Sequence, residues 1–111
     1  MSPELEKKLH ERHPTIRPPR WGIGVGEGWF DILDELLTGL EKLNLPDLRV
    51  VQVKEKFGTL RFYVNGANGE AYKLIDRAEH RSEITCEACG KPGVMRNDGW
   101  LKVCCDEHVR K

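Results

Sequence analysis

Near the C-terminus, four residues have the types and spacing to grip one metal ion. Cys86-Glu87-Ala88-Cys89-Gly90 is a C-x2-C-G step, and 15 residues further on Cys105-Asp106-Glu107-His108 is a C-x2-H step. A C-x2-C pair lets two thiolates reach one ion, and the glycine permits the tight backbone of a knuckle. Three thiolates and an imidazole suit tetrahedral Zn2+ rather than calcium or magnesium, which take oxygen ligands. Cys104 competes with Cys105, since it stands in a C-x3-H step with His108. The x2 spacing mirrors the first step, so the expected ligands are Cys86, Cys89, Cys105 and His108, with Cys104 left to packing. His10, His13 and His80 are reserve ligands that otherwise read as exposed helix residues.

Other cysteine chemistry fits less well. Disulfides belong with secretion, and Met1-Ser2-Pro3-Glu4-Leu5-Glu6 lacks the basic start and apolar stretch of a secretory signal. A thioredoxin-like site needs its C-x2-C at the start of a helix, which Gly90-Lys91-Pro92-Gly93 forbids. A zinc deaminase needs H-x-E upstream of P-C-x-x-C, and His80-Arg81-Ser82-Glu83 is wrongly spaced and too close to Cys86. An HNH nuclease would need further His or Asn residues after His108, and no G-x-S-x-G nucleophile motif is present. A catalytic zinc keeps three protein ligands and an open position, whereas this set supplies four. The expectation is a structural zinc, no catalytic residues and no enzymatic activity.

The elements that must position this site are readable in outline. Ser2 and Pro3 form a helix start, with Glu4 and Glu6 at the positive end of the dipole. That helix, Ser2 to His13, has only Leu5 and Leu9 as an apolar stripe and should dock weakly. His13 to Arg20 holds three prolines and reads as an extended connector. Glycines at 22, 24, 26 and 28 do not complete G-x-G-x-x-G, so this segment reads as a compact loop packed through Trp21 and Trp29. Trp29, Leu33, Leu36, Leu37, Leu40 and Leu43 recur at helical spacing, and Asn44 and Pro46 end that helix. Arg49 to Asn65 reads as a β-hairpin, with Val51 and Val53 on one arm and Leu60, Phe62 and Val64 on the other. A further helix is expected from about Glu70 to Glu83, with Ala71, Leu74, Ile75 and Ala78 inward. Turn signals at Lys91-Pro92-Gly93 and Asn97-Asp98-Gly99 flank Val94-Met95 and Trp100-Leu101, which suits a second hairpin carrying a knuckle at each end.

The expected fold is therefore α+β: two amphipathic helices packed on a β-hairpin, with a C-terminal zinc-ribbon-like unit. At 111 residues it should be a single domain, divided into an N-terminal helix and connector (1–20), an α/β core (21–84) and the metal unit (85–111). With 18 basic and 18 acidic residues the formal net charge is zero, which argues against a non-specific DNA coater. No apolar run has the length of a membrane span, and a cytoplasmic location is expected. The neutral total conceals two patches. Asp31, Asp34 and Glu35 gather on one helix, where acids in a first turn usually serve the dipole and solubility. Lys54, Lys56, Arg61 and Tyr63 gather on the hairpin, a basic and aromatic set able to contact RNA or single-stranded DNA. Either patch is a candidate surface for a macromolecular partner. Zero net charge and the lack of a sustained basic stripe favour a protein partner, with nucleic acid as the alternative and a small metal-dependent enzyme as a third reading.

Gly26-Glu27-Gly28-Trp29-Phe30, the run Gln52 to Tyr63, Cys86 to Gly93, and Gly99-Trp100 followed by Cys105 to His108 together resemble a functionally uncharacterised family of small zinc-ribbon-like proteins from bacteria, prophages and mobile elements. The resemblance covers roughly residues 21 to 108. That family carries a leucine where this chain has Cys104, which implies Cys105 as the ligand, and often a cysteine where this chain has Val25. The resemblance implies a metal site and a mobile-element origin, and with them a modulator or inhibitor of a host protein system.

Overall fold

The computed structural model of the chain describes residues 1–16, 22–97 and 99–109. Residues 17–20 of the proline-rich connector, Trp21 and Asp98 lie outside those residues. The architecture is α+β: three helices and two separate antiparallel hairpins. No helix among the described residues is long and apolar enough to cross a membrane.

Helix α1, Pro3–Arg12, begins as its sequence dictates, with Ser2 Oγ accepting from Leu5 N–H. It is anchored more firmly than two leucines would manage. Leu9 is buried, Glu6 accepts the Ile23 N–H at 2.8 Å, and the chain's amino group donates to the Ile23 carbonyl. At its end His13, read from sequence as an exposed helix residue, is buried between two carboxylates. Its Nδ1 lies 2.5 Å from Glu41 and its Nε2 2.7 Å from Asp34. Each ring nitrogen faces a carboxylate oxygen, so both polar ends of the buried ring are engaged. Polar contacts thus replace the missing apolar stripe.

Helix α2, Phe30–Lys42, follows a short 3-10 turn at Glu27–Trp29. Ile32, Leu33, Leu36, Leu37 and Leu40 are buried along one face, and Trp29 beneath its start is fully buried. Asn44, at φ 52°, turns the chain out of the helix. Strands β1, Arg49–Lys56, and β2, Thr59–Asn65, then pair with Val53 opposite Phe62 and Glu55 opposite Leu60. The ladder slips between Val50 and Gln52, so Val51 is exposed rather than alternating inward with Val53. An extra residue in one strand does this, and no local pattern in Val50-Val51-Gln52-Val53 announces it.

Helix α3, Gly69–Ser82, is capped by Asn68, whose side chain accepts from Ala71 N–H. Ala71, Ile75 and Ala78 face the core as expected, with Leu74 half-buried at its margin. The second hairpin is β3, Val94–Asn97, paired with β4, Leu101–Cys104.

Candidate metal centre

Cys86 opens a tight turn after α3. Its carbonyl accepts from Gly90 N–H at 2.9 Å, and its own N–H donates to the Lys91 carbonyl at 2.8 Å. Gly90 sits at φ 83°, a left-handed conformation that glycine adopts without a Cβ penalty. Glu87 N–H donates to the Val103 carbonyl and Gly93 N–H to the Ile84 carbonyl, which stitches the knuckle to the second hairpin. At the far end, β4 finishes at Cys104, and a 3-10 turn at Asp106–His108 brings His108 back beside Cys105. Cys104 is the last residue of β4, whereas Cys105 lies beyond the strand, immediately before the 3-10 turn.

The expected set converges. Cys86, Cys89, Cys105 and His108 place their ligand atoms within 4.8 Å of one another, close enough to hold one metal ion. Cys89 Sγ lies 3.6 Å from Cys105 Sγ. His108 Nδ1 lies 3.1 Å from Cys105 Sγ and 3.8 Å from Cys86 Sγ. Bonds of about 2.3 Å to sulfur and about 2.0 Å to nitrogen, arranged tetrahedrally, put donor atoms roughly 3.5–3.8 Å apart. The donor set and its spacing therefore fit a small tetrahedral ion. Cys104 is buried with Cys86 and Cys105 and lies outside the converging set.

The electrostatics favour thiolate at one corner. A hydrogen bond with His108 draws the Cys105 thiol down to about 6, against the effect of burial. Cys89 moves the other way: the Lys91 backbone N–H lowers it, but desolvation and the Cys105 and Cys86 sulfurs push it up. A cation among these sulfurs removes that conflict, because it favours all of them ionised. Lys91 with Glu107 and Arg96 with Asp106 add ion pairs at the exposed rim.

The glycine-rich segment belongs to this site. Gly28 N–H donates to the Glu87 carbonyl and Gly26 N–H to the Glu87 carboxylate, both at 2.8 Å. A Cβ on Gly28 would stand 2.2 Å from the Cys86 carbonyl oxygen and 2.7 Å from Cys89 N. The knuckle therefore sits directly on glycine backbone. Trp29 completes the seat by donating from Nε1 to the Thr85 carbonyl at 2.9 Å. Glu87 is pushed up by burial, only partly offset by the Gly26 bond, with Glu55 adding to the rise and Lys102 opposing it. Gly28 lies within the 3-10 turn Glu27–Trp29 and Gly26 just before it, so the seat is made by partners distant in sequence.

The other candidate residues lie apart from the centre. Asp31, Asp34 and Glu35 do not form one site. Asp34 binds His13 and Arg12, Glu35 pairs with Arg81, and Asp31 is exposed. His80 donates to the Asp76 carbonyl and His10 stays on α1, so neither reserve histidine approaches the cysteines. Lys54, Lys56, Arg61 and Tyr63 share one face of the first hairpin. The chain matches no family model, no curated protein and no solved structure.

Proposed function

We propose that Cys86, Cys89, Cys105 and His108 hold a structural zinc ion, and that the protein is a non-enzymatic accessory module that works by binding another macromolecule. The observation that carries this reading is the convergence of three sulfurs and one imidazole nitrogen within 4.8 Å. Four protein donors fill a tetrahedral ion and leave no position for substrate, as in structural rather than catalytic zinc sites. The donors come from two chain segments, so the ion's work is to fix the β3–β4 hairpin and the knuckle as one unit on the glycine seat. The sequence resemblance adds a mobile-element setting, in which such a module acts as a modulator or inhibitor of a host system.

Metal quantification on the purified chain tests this reading. About one zinc per chain is expected, lost together with folding of the C-terminal unit in Cys86→Ser and Cys105→Ser. Full stability of both variants without metal overturns the structural-zinc reading. Turnover of any substrate overturns the non-enzymatic one.

A further inference from the structure

The open face of the first hairpin carries an unusual set of side chains. Register places Gln52 beside Tyr63, Lys54 beside Arg61 and Lys56 beside Thr59, all on the face opposite Val53 and Phe62. That face holds three cations and no carboxylate. Among the described residues Lys54, Lys56 and Arg61 have no acidic partner, whereas Arg12, Arg81, Lys91 and Arg96 each have one. Lys54 and Arg61 stand directly opposite each other, and like charges so placed repel. Arg61 Nε is moreover buried with no hydrogen-bond partner. An anion on this face would relieve the repulsion.

Aromatic rings continue the strip. Lys54 Nζ lies 5.9 Å from the Tyr63 ring centre, and Lys56 Nζ 5.6 Å from that of Phe57. Phe57 occupies the hairpin turn at φ 53°, a conformation costly for a bulky residue, and is 65% exposed. Neither backbone preference nor burial accounts for a phenylalanine there. Across a shallow cleft of about 270 Å3 stands Trp100, 64% exposed, contributed by the metal-bearing hairpin. Glu55 also lines the cleft, but its carboxylate accepts the Gly58 N–H.

We propose that this face, from Tyr63 to the cleft between Phe57 and Trp100, binds single-stranded nucleic acid. Lys54, Lys56 and Arg61 neutralise phosphates, and the exposed rings stack on unpaired bases. Bases in a duplex are already stacked on one another, so single strands are preferred. An acidic protein would satisfy the cations but leave the exposed rings without a role. The inference rests on the binding-module reading above, because the hairpin that the metal fixes is what places Trp100.

The test is fluorescence anisotropy with the zinc-loaded full chain and labelled 20-nucleotide oligo-U and oligo-dT. A duplex of equal length and poly-glutamate serve as competitors. Binding should weaken with salt, with a log–log slope of roughly −2 for three phosphate contacts on a single strand. Lys54→Glu combined with Arg61→Glu should cost at least about tenfold. Trp100→Ala should cost roughly fivefold or more with zinc content unchanged, since it removes one stacking platform. Preference for oligo-U assigns RNA and preference for oligo-dT assigns DNA, and either sustains the proposal. Equal competition by poly-glutamate, equal affinity for the duplex, or indifference to Trp100→Ala overturns it. Zinc bound normally without strand binding refutes this inference alone, whereas a zinc-free chain of full stability refutes the structural-zinc reading on which the placement of Trp100 rests.

Discussion

Helix α2 and the β3–β4 hairpin are held in place by different forces. The helix sets five residues into an apolar cluster that gathers seventeen buried side chains among the described residues, from Leu9 to Ala78. The hairpin side has a cluster of three buried cysteines, Cys86, Cys104 and Cys105, with Val109 packed against them. Burying a leucine or isoleucine contributes about 1.5–3 kcal/mol, so the first cluster offsets its ordering entropy through apolar area. Three cysteines and a valine do not, and a unit that small requires a cross-link or an ion. The first region folds because of what it hides from water; the second lacks that apolar area and instead brings four ligand atoms within reach of one ion.

Removing the metal should break this contrast most strongly. Structural zinc in small domains binds with about 10–16 kcal/mol of apparent free energy, all of it coupled to folding. With a strong chelator, amide exchange in β3 and β4 should accelerate by orders of magnitude while α2 and α3 stay protected. Collapse of both regions together would show that the core depends on the ion as well. Leu33→Ala acts on the opposite side. It should cost about 2–5 kcal/mol in urea unfolding, with one zinc per folded chain retained. Loss of zinc from the folded fraction would contradict the division. Gly28→Ala probes the joint, where a methyl group would meet the Cys86 carbonyl at 2.2 Å. Overpacking of this kind costs about 1–3 kcal/mol, and here zinc affinity should fall along with stability. Unchanged affinity would mean that the knuckle does not need its seat.

The smallest effect concerns the polar anchor of α1. Burial pushes Asp34 up, but hydrogen bonds from His13 and Arg12 outweigh it and hold the carboxyl below 3.8. Burial likewise raises Glu41, while Thr15 and His13 bring it below 4.5. Groups whose pKa is lower when folded stabilise fully above their unfolded values and lose that contribution as pH falls through them toward the folded ones. The stability gap between the parent protein and Asp34→Asn should therefore be full above about pH 5 and shrink with acidification below it. Urea midpoints across that range measure it, and a gap that widened in acid would refute the anchor.

These regions also differed in how much of them the sequence made visible. The ligand set was readable because metal geometry acts through short spacing: Cys86 and Cys89, and likewise Cys105 and His108, have two residues between them. Helices α2 and α3 were readable through their apolar periodicity. The glycine seat was not, because Gly26 and Gly28 meet residues some sixty positions away and look locally like any loop. His13 was missed for the same reason: its two carboxylates lie on α2, beyond the connector. Charge balance was legible only as a total. Asp34 and Glu35 turn out to be engaged by α1 and α3, while the hairpin cations are left over.

The first hairpin has one more consequence, which lies at its edges. Along β1, Gly24 N–H donates to the Val53 carbonyl and the Gly24 carbonyl accepts from Glu55 N–H. Along β2, Ser82 Oγ accepts from Leu60 N–H and the Glu79 carboxylate from Phe62 N–H. A two-stranded sheet ordinarily offers bare backbone on both sides to any passing extended chain. Here two of those groups on each side are already engaged, which shortens the open ladder that a third strand, from a peptide or from another copy, could use. Edge-to-edge association is thereby disfavoured, which leaves the side chains of the hairpin as its more accessible surface.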